Sequence, residues 1–267
     1  MEMVVSAHLQ KRDFIKRLLD LGSGGPLALL TMELDDEPYY RINKSSFLVG
    51  MVGLNELIQY HTGQELHESK DALKFGLKVI AYMKTEADRL SKEHNIKMPL
   101  EQTPAESTAY RFAKLDMKNY PLQASTVVKG NKGLGELYYG NSTYMNVSAD
   151  VSPIERVKKE GLFHPLIEAG ALSHVWLGES KPPAESIAAF VKKSFQNTQN
   201  AQIAFSPEFT SCLSCGRTSR GLSETCPYCS SHRVEGITRV TGFFSKISSW
   251  NKGKRGELRD RVKGQSL

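Results

Sequence analysis

Residues 212–229 read CLSCGRTSRGLSETCPYC, and two further segments follow closely, RVTGFF at 239–244 and WNKGKRGELRDR at 250–261. The cysteines Cys212, Cys215, Cys226 and Cys229 form two C-x-x-C knuckles separated by ten residues. Each knuckle puts two thiolates on one tight turn facing a shared centre, which is how four sulfurs reach a tetrahedral Zn²⁺ at about 2.3 Å. Gly216 and Gly221 loosen the loop between the knuckles, and Pro227 sits inside the second one. Two disulfides or an iron–sulfur cluster are the alternatives, and a cytoplasmic chain disfavours the disulfides. The expectation is zinc held by these four cysteines. All four ligand positions are then filled, so the ion is structural rather than open to substrate.

Outward from this segment, the chain has 267 residues, 40% apolar and 24% charged. That is globular composition, enough for one large domain and a small appendage, and it excludes disordered, collagen-like and coiled-coil readings. The longest apolar stretch, near Pro26–Met32, falls far short of the roughly 18 residues that span a bilayer. The opening MEMVVSAHLQKRD has no signal-peptide core, so the expectation is a soluble, cytoplasmic protein with no membrane partner. The net charge is +6, and residues 246–267 carry seven basic groups against Glu257 and Asp260. The charge describes a tail rather than a basic face on a domain, which weakens a nucleic-acid reading.

Phe47, Met51, Leu54 and Ile58 recur at helical spacing, as do Leu73, Leu77, Ile80, Lys84 and Ala87 behind a Ser69 N-cap. Thr103-Pro104-Ala105-Glu106 and Ser152-Pro153-Ile154-Glu155 both read as capping boxes with proline at the first helical position. β-prone runs lie at Ala124–Val128, Glu136–Tyr139 and Ser173–Leu177, and Ile187, Phe190, Val191 and Phe195 mark one more helix. Alternating strands and helices predict an α/β domain, with the zinc segment from about residue 208 as a separate knob. Gly130, Gly133 and Gly135 match no phosphate-loop spacing and predict a hairpin turn. His61, His67, His164 and His174 are scattered and predict structural or exposed histidines. In the tail, Glu257, Asp260 and Arg261 sit at helix-neighbour spacings and predict a solvated helix.

The ordered set of segments resembles the class III anaerobic ribonucleoside-triphosphate reductases, which are glycyl radical enzymes. RVTGFF followed by WNKGKRGELRDR is similar to that family's C-terminal radical loop, which a four-cysteine zinc site immediately precedes. Leu100–Lys114 (LEQTPAESTAYRFAK), Tyr138–Ser142 (YYGNS), Ser152–Glu155, Phe163–Leu166 (FHPL), Gly53–Glu56 (GLNE) and Leu73–Leu77 (LKFGL) are similar to family segments upstream. The likeness covers nearly the whole chain. It implies part of a ten-stranded α/β barrel over residues 1–207, the zinc site over 208–235, and the radical loop with a basic tail over 236–267. It also implies deoxyribonucleotide biosynthesis for DNA replication, with ATP binding among the family's properties. The substrates would be ribonucleoside triphosphates, the reductant formate or a small dithiol protein, and the intact enzyme a homodimer.

By resemblance, Gly242 stores the unpaired electron after a radical S-adenosylmethionine iron–sulfur activating enzyme removes one hydrogen atom. A Cα radical is stabilised when the flanking nitrogen and carbonyl both conjugate with a planar centre, and only glycine lacks the Cβ that hinders this. Read locally, Gly242 is a turn glycine; the matching context favours the radical site. In the family the radical passes to a cysteine inside the barrel, yet all four cysteines here belong to the knuckles. A working enzyme would therefore need an N-terminal polypeptide to supply the thiyl cysteine and the nucleotide-regulation sites. Glu106 is either the carboxylate placed near the ribose, where a base could assist loss of the 2′-hydroxyl as water, or a helix cap. Asn141 and Ser142 either bind substrate or close a turn. Tyr144 and Asn146 stand where histidine and proline are expected in many relatives. An inactive remnant and a zinc-ribbon nucleic-acid-binding module are the competing readings.

Overall fold

A computed structural model describes residues 1–267. The Ser69 hydroxyl accepts a hydrogen bond from the Ala72 N–H and opens the longest helix of the chain, as its cap position predicts. In chain order the elements are α1 (Glu2–Leu19), a short hairpin β1 (Glu33–Leu34) and β2 (Glu37–Pro38), β3 (Val49–Gly50), α2 (Leu54–Thr62), α3 (Lys70–His94) and β4 (Leu100–Glu101). Then come α4 (Glu106–Asn119), α5 (Pro121–Val127), β5 (Lys129–Asn131), β6 (Glu136–Tyr138), α6 (Pro153–Glu160), β7 (Ser173–Gly178) and α7 (Ala184–Asn197). The chain closes with β8 (Ile203–Cys212), β9 (Thr218–Arg220), β10 (Val234–Arg239), β11 (Phe244–Lys246) and α8 (Lys252–Asp260). No helix is long and apolar enough to cross a membrane.

The architecture is mixed α/β, as expected. β3 pairs parallel with β4, and β7 pairs parallel with β8. Backbone bonds from Ala169 N to Leu100 O (3.0 Å) and from Gln102 N to Gly170 O (3.2 Å) carry the sheet from β4 to the approach of β7. The 140–142 segment attaches beside β3 through the Val52–Asn141 bridge and the Gly53 N–Gly140 O bond. The main core lies against this surface, with Val49, Met51, Ile58, Ile80, Leu90, Leu100 and Phe163 all buried.

β8 ties the two ends of the chain together. Its first half pairs parallel with β7, and its second half pairs antiparallel with β9 and β10. A division between residues 207 and 208 thus falls within one continuous strand. The predicted hairpin forms as β5–β6, β7 and α7 appear where the pattern puts them, and Ser152 caps α6 by accepting from the Glu155 N–H.

Three local expectations are corrected. Residues 47–52 are extended, and α2 begins only after Gly53, whose φ of 78° breaks any helix running through it. The Ala124–Val128 run is the end of helix α5, which Pro121 opens at its first position. At Thr103-Pro104-Ala105-Glu106 no capping box forms: α4 starts at Glu106, and the Thr103 hydroxyl donates to Glu101 Oε2 (3.0 Å).

Helix α8 is also unlike the solvated helix expected of the tail, since Gly253, Lys254, Gly256, Glu257 and Leu258 are buried. Two glycines three apart make this possible. A Cβ on Gly253 would lie 2.5 Å from Leu137 O, and one on Gly256 would lie 2.8 Å from Glu136 O. The bare helix face therefore packs against the backbone of β6. Tyr138 donates its hydroxyl proton to Asp260 (2.7 Å), and Arg259 pairs with Glu136.

Candidate functional site

The knuckles bring the four cysteine sulfurs within 4.8 Å of one another. Cys212 Sγ lies 3.7 Å from Cys229 Sγ, and Cys215 Sγ lies 3.7 Å from Cys226 Sγ. Sulfurs on a tetrahedral zinc at about 2.3 Å are about 3.8 Å apart, so the donor set and its spacing fit that ion. The N–H groups of Ser214 and Cys215 point at Cys212 Sγ (3.4 and 3.5 Å), and that of Tyr228 points at Cys226 Sγ (3.4 Å). Such donors favour thiolate over thiol. Cys212 and Cys226 are buried and Cys215 and Cys229 exposed, so the site lies at the surface and closes the β8–β9–β10 sheet end.

The other end of β10 carries residues 240–243, the turn into β11. Val240 N–H donates to Phe243 O (2.9 Å), closing the turn. Gly242 is exposed at its tip, and a Cβ added there would meet nothing within 4 Å. Its φ also lies outside the left-handed region. Neither crowding nor backbone conformation calls for glycine at this position.

The structure brings Glu106 and Asn141 to this turn. Asn141 Nδ2 donates to Thr241 Oγ1 at 3.4 Å, and the Thr241 hydroxyl lies near enough to the Glu106 carboxyl to favour its charged form. Glu106 is not a cap: its Oε1 is buried and unpartnered. Burial raises the Glu106 carboxyl above its ordinary range, against the opposing pull of Lys254 and the Thr241 hydroxyl. Ser142 adopts φ 45° beside Asn141, and its hydroxyl is buried without a partner. A small cavity of about 20 Å³ reaches from Asn141 and Thr241 to Glu56, Tyr144, His174 and Trp176. Burial raises Glu56, which accepts from Gly140 N–H (3.1 Å), and holds His174 well below its usual range.

Around the turn stands a set of charges from the tail, where helix-neighbour spacing alone predicts a solvated face. Arg261 donates to the carbonyls of Arg239 (3.1 Å) and Val240 (2.9 Å) and to Glu257 Oε1 (2.9 Å). Lys254 donates to Glu257 Oε2 at 2.6 Å. Burial acts to raise Glu257, yet Lys254 and Arg261 together hold it below the ordinary carboxylate range. The Arg261 guanidinium lies 4.0 Å over the Trp176 ring, which stacks on His174 with centroids 4.4 Å apart. Asn251 caps α8 and donates to the backbone carbonyl of Glu106 (3.1 Å), so the helix is joined to the residue that carries the half-buried carboxyl. The signal for this burial was present in the glycine pair and in charges at 254, 257 and 261, which share one helix face.

A family model described as anaerobic ribonucleoside-triphosphate reductase matches residues 1–263. The chain belongs to this family. An anaerobic ribonucleoside-triphosphate reductase of Salmonella typhimurium is 24% identical over 246 residues, covering 87% of this chain and 33% of its own length. The enzyme of the same description from phage T4 is 24% identical over 236 residues, covering 85% of this chain and 36% of its own. A solved anaerobic ribonucleotide reductase superposes with a TM-score of 0.78 at 20% identity, over all of this chain and 40% of that one. The Thermotoga maritima anaerobic ribonucleotide reductase, solved in complex with dATP and CTP, gives a TM-score of 0.70 at 19% identity, over 96% and 39%. The chain thus spans about a third of the length of the curated relatives it matches. Its fold is that of the corresponding part of an anaerobic ribonucleotide reductase, an oxidoreductase.

Proposed function

We propose that this chain is the glycyl-radical-bearing part of an anaerobic ribonucleoside-triphosphate reductase, converting ribonucleoside triphosphates to the deoxy forms. The observation that carries the reading is Gly242, a glycine that the fold does not require, at the tip of an anchored turn flanked by Glu106 and Asn141. A planar Cα radical does require it. A radical S-adenosylmethionine activating enzyme removes one hydrogen atom from Gly242 Cα; substrate turnover begins when the radical takes a hydrogen atom from a cysteine S–H and leaves a thiyl. All four cysteines of this chain converge on the zinc site, so the reading assigns that cysteine to a polypeptide segment outside residues 1–267.

The same segment supplies the rest of the ten-stranded barrel and covers Gly242, which stands exposed here and would otherwise meet oxygen. Cys212, Cys215, Cys226 and Cys229 hold a structural zinc, which when bound fixes the end of the β8–β9–β10 sheet opposite the turn, so that β10 spans from the zinc site to the turn. Glu106, whose carboxyl burial raises above its ordinary range, serves as the proton-handling group for loss of the 2′-hydroxyl, and Asn141 and Ser142 hydrogen-bond substrate. The reductant is formate or a small dithiol protein, and the assembled enzyme is a cytoplasmic homodimer. The competing nucleic-acid reading is weakened because two of the tail's cations, Lys254 and Arg261, are buried in ion pairs.

Electron paramagnetic resonance after anaerobic activation, with and without the N-terminal polypeptide, tests the proposal. The expected signal is a doublet from the single remaining Cα hydrogen, collapsing when the protein carries Cα-deuterated glycine and absent in Gly242→Ala. No signal under conditions that activate a full-length relative would reject it.

A further inference from the structure

Guanidinium groups hold two carbonyls of the turn and that of the last β10 residue before it. Arg261 takes the carbonyls of Arg239 and Val240, and Arg239 Nη1 donates to Gly242 O at 2.7 Å. That last distance is at the short end expected of a charge-assisted bond. The Arg239 guanidinium lies 5.1 Å from the Phe244 ring centroid, within cation–π range, and its Nε is buried. Arg239 is therefore fixed at both ends: the backbone by Arg261, and the side chain by Phe244 and Gly242.

The carbonyl it grips is the one conjugated with Gly242 Cα. A radical at that carbon is stabilised by donation from its nitrogen and by withdrawal through its carbonyl. A cation hydrogen-bonded to the carbonyl oxygen strengthens the withdrawing side and draws spin off the carbon. We propose that Arg239 tunes the glycyl radical through its bond to the Gly242 carbonyl, and that Arg261 is the positioning residue that holds Arg239 and the turn in place. The proposal rests on Gly242 being the radical site, and it adds a means by which this chain's own residues set the radical's stability.

Two measurements separate the bond from the radical. Gly242–Phe243 is the one Gly–Phe step in the sequence, so carbonyl-¹³C glycine with ¹⁵N phenylalanine gives the Gly242 carbonyl a single resonance in the full, unactivated chain. Arg239→Gln and Arg239→Met should move that resonance upfield, with Arg239→Lys between them and wild type. Arg261→Lys, which keeps the charge and loses the fork, should speed hydrogen exchange at the Val240 amide, whose bond to Phe243 O closes the turn. In the activated, assembled enzyme, Arg239→Met should then show a larger doublet splitting and a faster radical decay.

An unmoved carbonyl resonance in Arg239→Met would overturn the proposal at its first step. A moved resonance with unchanged splitting and lifetime would overturn the tuning while leaving Gly242 as the radical site. A moved resonance with no radical in wild type would reject the radical reading, and the tuning with it. Unchanged Val240 exchange in Arg261→Lys would remove Arg261 from the account.

Discussion

Gly253→Ala sets two effects of opposite sign against each other at one atom. In an isolated helix the substitution is stabilising, by about 1 kcal/mol. In this fold the new Cβ lands 2.5 Å from Leu137 O and 2.9 Å from Tyr110 Cδ2, where ordinary contact begins at 3.4 Å. The Leu137 oxygen is backbone and cannot turn aside, so α8 must withdraw from β6 by about 1 Å, a forced repacking that costs about 1–3 kcal/mol. Withdrawal also stretches the Asn251–Glu106 O bond (3.1 Å) and the Tyr138–Asp260 bond (2.7 Å), each worth about 1 kcal/mol. The net expectation is a loss of about 1–3 kcal/mol, read as a lower urea midpoint and a Tm reduced by about 2–4 °C per kcal/mol. Because Arg261 rides on the same helix, radical yield should fall as well. A Gly253→Ala protein more stable than wild type by about 1 kcal/mol would show that the close approach of α8 to β6 is wrong.

Gly242→Ala should be the converse: stability within about 0.5 kcal/mol of wild type by urea unfolding, because the new methyl meets nothing, with radical formation abolished. Cys226→Ser should lose zinc by metal analysis, leave the 240–243 turn mobile by hydrogen exchange, and lower the radical yield; normal yield in metal-free protein would detach the knuckles from that role. Acid should destabilise the fold through its histidines. Burial depresses His164 to about 4, so the unfolded chain binds more protons below the usual value of 6.5. The His164 contribution is whole above pH 6.5 and is lost as pH falls towards 4, on the order of 3 kcal/mol, and His164→Gln should flatten that slope in pH-dependent unfolding.

Long, regular features were legible in the sequence. α3 carries both a helical apolar period and a hydroxyl cap, and the cysteine spacing needed only the chemistry of the knuckle. Short features were not. Phe47 and Met51 suit a helical period, but Phe47, Val49 and Met51 are all buried, and that period of two is the one the fold uses. The β-branched residues near Val127 favour a strand in isolation, yet Pro121 starts a helix that carries through them. Thr103 has the right spacing to cap α4 and instead bonds Glu101, which frees Glu106 for the buried site. The largest omission was α8. Charge usually means a solvated face, and only the Gly253–Gly256 spacing showed that the helix could approach a strand closely enough to bury Lys254, Glu257 and Arg261. Arg239 and Thr241 were visible as letters beside Gly242, but their bonds depend on α8 and on the 140–142 segment, which lie far away in sequence.

Intact mass spectrometry after activation and exposure to air addresses the central claim most directly. The chain is incubated anaerobically with a matching activating enzyme and S-adenosylmethionine, with and without a co-expressed N-terminal polypeptide, and then opened to oxygen. A glycyl radical at Gly242 predicts backbone cleavage there and loss of a C-terminal piece beginning near Phe243. An uncleaved chain in both samples, with activation confirmed on an intact relative, would contradict the radical assignment and leave a zinc-binding remnant.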